Sequence, residues 1–180
     1  MKAISTKLDG ALILEAKIHG DARGFFMESY NAKTMRDLGI HCDFVQDNHS
    51  RSTKGVLRGM HYQIKQPQGK LVRVVRGSAF DVAVDMRKSS KTFGQWTGVE
   101  LSEDNHRQFW IPPGFAHGFL SLSDSVDFLY KVTDYYAPEH ERTLIWNDPK
   151  IGIEWPLQGE PIIATKDLAG LPFDQMEAFA

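Results

Sequence analysis

Residues 78–87 read SAFDVAVDMR. Phe80, Val82, Val84 and Met86 alternate with Asp81, Ala83, Asp85 and Arg87, the period-2 spacing of a β-strand. Just before it, residues 71–76 read LVRVVR and end at Gly77-Ser78, a pair that predicts a two-residue hairpin turn into the alternating run. Turn signals recur further on, at Lys91-Thr92-Phe93-Gly94, Pro112-Pro113-Gly114, Ser123-Asp124 and Pro138. Many short strands separated by such turns indicate a mainly β chain folded as a double-sheet barrel or jelly roll. Helical signals are few. Ser29–Gly39 offers Ser29 or Asn31 as N-cap, apolar Met35 and Leu38, and a terminating glycine, and a second short helix is expected around Phe173–Phe179.

Polar residues fall where a packed core would exclude them. In FVQDNHS, residues 44–50, Gln46, Asn48 and Ser50 alternate with Val45, Asp47 and His49, so both faces of the strand are polar. A barrel whose interior holds a polar ligand accommodates that pattern better than a filled sandwich. Residues 55–63, GVLRGMHYQ, place Arg58 and His61 in an otherwise apolar strand. A regular strand would send them to opposite faces; a β-bulge at Gly59 would bring both inward. Unpaired burial of either group is costly, so each requires a partner or a ligand.

Length and composition narrow the class. The chain has 180 residues, 42% hydrophobic and 24% charged, with net charge −2. It shows no repeat or linker-like shift, so residues 1–180 are read as a single domain. The net charge gives no general case for nucleic-acid binding. Charge is uneven, however: residues 51–87 hold eight Lys or Arg against Asp81 and Asp85. Such a run is either a solvated face or the place where an anion lies. One cysteine, Cys42, excludes an internal disulfide framework, and no stretch has signal-peptide or transmembrane character, so a cytoplasmic location is expected.

Seven histidines invite a metal-site reading. Residues 111–119, IPPGFAHGF, carry a Pro-x-Gly-x-x-His spacing like the second motif of metal-binding cupins. Around His61 there is neither a second histidine nor a nearby acid, which leaves too few ligands for a zinc or iron centre. No metal is expected. No Gly-rich nucleotide fingerprint follows a strand either, so no redox cofactor is expected.

Seven segments in order, DARGFFMESY (21–30), FVQDNHSRSTKGVLRGMHYQ (44–63), QGKLVRVVRGSAFDVAVDMR (68–87), WIPPGFAHGF (110–119), YKVTDYYAPEHER (130–142), WNDPKIGIEWP (146–156) and TKD (165–167), resemble the dTDP-4-dehydrorhamnose 3,5-epimerase family, metal-free cupins. The resemblance implies a cupin jelly-roll barrel, or double-stranded β-helix, with a few short peripheral helices. It implies a dTDP-4-keto-6-deoxyhexose substrate, His61 as general base, Tyr130 as acid on the opposite face of the sugar, Asp167 paired with His61, and Lys70 near the carbonyl oxygen. It places Arg23, Phe25, Glu28, Gln46, Asn48, Arg58, His117, Glu141 and Lys166 at the nucleotide-sugar site. It also implies a homodimer in which the segment bearing Arg23 and Phe25 crosses to the neighbouring subunit.

Read from the residues, this chemistry is coherent. Protons on carbons 3 and 5 lie α to a ketone at carbon 4, so epimerisation needs a base, an acid and a group that stabilises an enolate. Histidine is neutral and basic near neutral pH, tyrosine is protonated, and a lysine ammonium in a water-poor pocket stabilises an oxyanion. Guanidinium groups suit a diphosphate. For His61 the plainer alternative is a core histidine satisfied by a carbonyl, for Tyr130 a core aromatic, and for Arg23 and Arg58 surface ion pairs. Two rival functions remain: an enzyme acting at carbon 3 alone, and a non-catalytic sugar-nucleotide-binding cupin.

Overall fold

A computed structural model describes residues 1–180. The strands in chain order are β1 (Lys2–Ser5), β2 (Leu12–Glu15), β3 (Ile18–Asp21), β4 (Gly24–Met27), β5 (Gln46–Ser52), β6 (Val56–Gln63) and β7 (Lys70–Arg76). They continue with β8 (Ser78–Asp85), β9 (Trp96–Ser102), β10 (Gln108–Ile111), β11 (Phe115–Ser121), β12 (Val126–Val132), β13 (Glu141–Thr143) and β14 (Ile162–Ile163). One six-stranded sheet runs β1-β2-β10-β7-β12-β5. The second runs β13-β6-β11-β8-β9, with β14 added parallel to β6. The hairpin β3-β4 forms a small sheet of its own. No helix is long and apolar enough to cross a membrane.

The two large sheets face each other across a core built from both. Val72, Val74, Phe109, Val126 and Phe128 come from the first sheet; Ala79, Ala83, Val99, Leu101, Phe115 and Phe119 come from the second. Phe119 stacks on Phe128 with ring centroids 4.1 Å apart. Such a pair contributes about 0.5–1.5 kcal/mol beyond its buried area.

The run 78–87 folds as the strand its period demands, but its large apolar side chains do not fill the barrel. Val82, Val84 and Met86 point outward, into a cluster with Leu144 and Ile151 that Trp155, Phe173, Met176 and Phe179 cover. The smaller Ala79 and Ala83 face inward, leaving room at one end of the barrel for polar groups.

The hairpin expected at Gly77-Ser78 does not form. β7 pairs with β10 and β12, whereas β8 pairs with β11 and β9, so Gly77 turns the chain from one sheet to the other. The tight corner is real: Gly77 has φ +73°, and a Cβ there would lie 2.2 Å from Ser123 Oγ and from the Ser125 carbonyl oxygen. Glycine permits the reversal; it does not specify which strands pair across it.

The helical expectation at Ser29–Gly39 resolves into α1 (Ala32–Asp37). Asn31 is the N-cap, its side chain accepting from the Thr34 N–H at 3.1 Å, a contribution of about 1 kcal/mol. Gly39, at φ +85°, follows the helix end, and Met35 packs with Leu71 and Trp110 on the outer face of the first sheet. The C-terminal expectation reduces to a single 3-10 turn, Phe173–Gln175. The four-residue helix α2 (Thr165–Leu168) carried no sequence signal strong enough to predict it.

Candidate active site

Gly59 bulges β6. His61 lies opposite His117 and Arg58 opposite Phe119, so Gly59 and Met60 together face the single residue Gly118. The extra residue shifts the parity of the strand, and both Arg58 and His61 line the barrel cavity. Only glycine fits: φ is +114°, and a Cβ would lie 2.5 Å from Gly118 Cα and 2.6 Å from the His117 carbonyl oxygen. Leaving the ladder frees the Gly59 N–H, which donates to Asp167 Oδ2 at 3.2 Å.

The cavity has a volume of about 660 Å³. From the first sheet it takes Gln46, Asn48 and Ser50 on β5, Lys70 on β7, and Phe128 and Tyr130 on β12. From the second come Arg58, His61, His117 and Glu141, and from the C-terminal strap Ile163, Lys166 and Asp167. The doubly polar pattern of β5 has its cause here: the Gln46, Asn48, Ser50 face is the cavity wall, and the other face looks outward.

His61 Nε2 and Asp167 Oδ1 are 2.7 Å apart, with Asp167 only 2% exposed. Burial alone would raise the Asp167 carboxyl; its hydrogen bond with His61, the His61 charge, the Gly59 N–H and Lys166 together outweigh burial and hold it below the usual carboxylate range. The carboxylate is therefore an acceptor, and Nε2 carries the imidazole proton. Nδ1 is left free as the basic nitrogen.

Lys70 is buried and donates to the His61 carbonyl oxygen at 3.3 Å. Burial pulls its ammonium down to about 8, against the opposing pull of Asp81 and Glu141. Tyr130 faces the cavity from the opposite sheet to His61; burial raises its phenol, with Arg58 pulling the other way. Arg58 donates to Ser52 Oγ at 3.0 Å and makes no ion pair with a carboxylate, leaving its charge directed to the cavity. Gln46 donates to Asn48 Oδ1 at 2.9 Å, while Glu141 meets both Lys166 Nζ and the Tyr136 hydroxyl at 3.5 Å.

Three residues expected at the site are not brought there within the single chain. Arg23 pairs with Asp21 and is otherwise exposed, Phe25 is 58% exposed, and Glu28 accepts from Asn31 Nδ2 at 3.1 Å. All three belong to the β3-β4 hairpin or the residues just after it, and every residue of that hairpin except Met27 is exposed.

The cation-rich run divides. Arg58 and Lys70 enter the cavity, whereas Arg51 pairs with Asp127 and Arg87 with Asp85 elsewhere. Asp81 was missed as a site residue. It is fully buried, its Oδ2 lies 2.9 Å from His117 Nε2, and its Oδ1 has no partner. The available signal was an acid between Phe80 and Val82, in a strand whose other acid, Asp85, sits at its end. Tyr136, also on the cavity, gave no signal separating it from the neighbouring Tyr135.

Two facing sheets that enclose a cavity lined by two carboxylate–imidazole pairs, a buried ammonium and a phenol place the protein among cupin-like isomerases. The sequence comparisons specify which. Residues 5–175 match the family model of dTDP-4-dehydrorhamnose 3,5-epimerase. The chain is 54% identical over 180 residues to the dTDP-4-dehydrorhamnose 3,5-epimerase of Pseudomonas aeruginosa, covering 99% of each. It superposes with TM-score 0.95 and 55% identity on the dTDP-6-deoxy-D-glucose-3,5-epimerase of Legionella pneumophila, solved in complex with dTDP-4-keto-L-rhamnose, over 98% of this chain and 94% of that one. Similarity to a 3'-monoepimerase of Streptomyces bikiniensis, solved in complex with dTDP-quinovose, is lower: TM-score 0.88 and 33% identity over 94% and 86%. The chain belongs to the dTDP-4-dehydrorhamnose 3,5-epimerase family.

Proposed function

We propose that this protein converts dTDP-4-dehydro-6-deoxy-D-glucose to dTDP-4-dehydro-L-rhamnose by removing and returning protons at carbons 3 and 5. The observation that carries the proposal is the His61–Asp167 pair opening into the cavity opposite Tyr130. His61 Nδ1 takes the proton; Asp167 holds the ring and stabilises the imidazolium that results, the orienting role of a carboxylate behind a histidine base. Tyr130, kept protonated by burial, returns a proton from the other face. A positioned acid–base group contributes about 10²–10⁴-fold.

Lys70 stabilises the enolate oxygen. Burial pulls its ammonium down to about 8, which still leaves the cation as the main form at pH 7, and burial strengthens its attraction for a developing oxyanion. Arg58, without a carboxylate partner, takes a diphosphate oxygen, and Gln46, Asn48, His117, Glu141 and Lys166 hold the remaining polar groups of the nucleotide-sugar. The exposed β3-β4 hairpin suits delivery of Arg23, Phe25 and Glu28 to the cavity of a second copy, so the working unit is a homodimer. Residues 1–180 act as one epimerase domain, a reading supported by sheets that use strands from residue 2 to residue 163. The location is cytoplasmic, where a reduced Cys42 and a nucleotide-sugar substrate belong.

Proton NMR of dTDP-4-keto-6-deoxy-D-glucose incubated with the protein in D₂O tests the proposal. Deuterium entering at carbons 3 and 5, and lost with His61→Ala, is expected. Entry at carbon 3 alone would make the protein a monoepimerase, and entry at neither would leave the binding-cupin reading in its place.

A further inference from the structure

Two imidazoles face each other in the register of the second sheet: His61 on β6 is the cross-strand partner of His117 on β11. Each uses Nε2 to meet a buried carboxylate, Asp167 at 2.7 Å for His61 and Asp81 at 2.9 Å for His117. The proposed reaction employs the first pair. The second has no assigned purpose beyond placing His117 on the cavity wall, yet its carboxylate is completely buried and its Oδ1 has no hydrogen-bond partner. A buried carboxylate with an orphaned oxygen is destabilising, because the unmet acceptor has lost its water without gaining a donor. An apolar residue at position 81 would fit the strand, which carries Ala79 and Ala83 on the same inward face.

We infer that Asp81 is a positioning residue: it accepts the Nε2–H of His117, fixing the neutral tautomer whose bare Nδ1 faces the cavity and accepts a hydrogen bond from a sugar hydroxyl.

Three features of the structure support this. The His117 ring has no other hydrogen bond within the chain, so nothing else selects its tautomer. The ring is buried, which holds it neutral; Asp81 pulls the other way, while Lys70 and His61 reinforce burial. Burial raises the Asp81 carboxyl above the usual carboxylate range, and His117 and then Lys70, the buried cation of the same cavity, oppose it; the 2.9 Å contact of Oδ2 with Nε2, the one hydrogen bond the side chain makes, is where the carboxylate accepts and the imidazole donates. A neutral ring beside the Lys70 ammonium also avoids placing two cations against one substrate carbonyl. Were Asp81 protonated instead, it would donate to Nε2 and the cavity would see an Nδ1–H, a donor, with inverted preference for the sugar group it meets.

This assignment rests on the nucleotide-sugar reading for the identity of the hydroxyl, but the tautomer does not. Nitrogen-15 NMR of the histidine-labelled protein without substrate, with His117 assigned by comparison with His117→Gln, reads the tautomer directly. Protonated Nε2 and bare Nδ1 are expected; protonated Nδ1 overturns the inference. Steady-state kinetics on the dTDP-4-keto sugar then compare Asp81→Asn with Asp81→Ala, each checked by thermal unfolding. The asparagine side chain still accepts from Nε2–H, so Asp81→Asn is expected to keep KM within a factor of about three, and Asp81→Ala to raise KM about tenfold with a smaller change in kcat. Equal KM values for the wild type and a folded Asp81→Ala would also overturn it. A wild type that binds but does not turn over the sugar would refute the epimerase reading, while the nitrogen spectrum would still decide the role of Asp81.

Discussion

Gly59→Ala offers the sharpest test of how the fold builds the site. The substitution adds one methyl group to a residue at φ +114°, with backbone atoms of β11 at 2.5 and 2.6 Å from the new Cβ. An L-residue at positive φ costs about 1–2 kcal/mol even without a clash. The contacts add to this because Gly118 Cα and the His117 carbonyl are main chain and have no rotamer through which to escape. A total of about 3–5 kcal/mol is expected, within the range of buried overpacking plus backbone strain. That is a large share of a typical domain's stability of 5–15 kcal/mol. At about 2–4 °C per kcal/mol, it lowers Tm by on the order of 10 °C.

Relief requires β6 to move away from β11, and the movement carries His61 and the Gly59 N–H with it. The 2.7 Å and 3.2 Å contacts to Asp167 both lengthen. A displacement of about 1 Å at a reacting group costs on the order of 10²-fold in rate, so deuterium exchange at carbons 3 and 5 should fall by that factor in the protein that remains folded. Gly39→Ala is the control: φ is +85°, but nothing lies within 4 Å of its Cβ. It should lose only about 1–2 kcal/mol and keep the full exchange rate. Scanning calorimetry and exchange measured on both variants decide the matter. A Gly59→Ala protein with unchanged Tm and unchanged exchange would refute the claim that the bulge is what aims His61.

Lys70, in its proposed role at the enolate oxygen, is expected to set the alkaline limb of activity. Its folded-state value is depressed to about 8, so the ammonium is lost as pH rises through that region, and kcat/KM should fall there rather than near 10.4, the ordinary lysine value. Lys70→Arg should remove that limb. The same depression makes the buried ammonium a cost to folding at pH below about 8 that fades as pH rises toward 10.4. Arg58→Ala removes the cation proposed to take a diphosphate oxygen and should raise KM about 10- to 100-fold with little change in kcat, seen in steady-state titration. Acidification acts on Asp167: because its carboxyl lies below the ordinary value, the pair with His61 is stabilising above about pH 4 and is lost as pH falls further. Asp167→Asn should therefore flatten the acid side of the stability–pH curve in chemical denaturation. Sedimentation of the wild type should give a dimer, and Phe25→Glu with Phe26→Glu should shift it toward monomer.

The sequence by itself determined the central strands in residues 44–63 and 71–87 and the chemistry each could carry. Period-2 alternation in residues 78–87 marks a strand wherever it sits, because side-chain direction along an extended backbone is a local property. Asn31, Met35 and Gly39 bracket α1 for equally local reasons, and the two polar faces of β5 announced a cavity before any cavity was visible. Gly59 between Arg58 and His61 suggested the bulge, since both polar groups needed one environment. The tertiary structure alone decided which strands became neighbours. Gly77 has the chemistry of a tight turn, and that chemistry is the same for a hairpin and for a corner between sheets; β10 and β12, far away in sequence, occupy both edges of β7 and leave no place for β8. Asp81 entered the site by the same kind of long-range choice. Its strand placed the large apolar side chains outward beneath the C-terminal segment, which turned the acid toward His117 and Lys70. Whether a strand's apolar face meets the barrel interior or an outer layer depends on what covers it, and the covering residues, Trp155, Phe173, Met176 and Phe179, lie some 70 to 100 positions further along the chain.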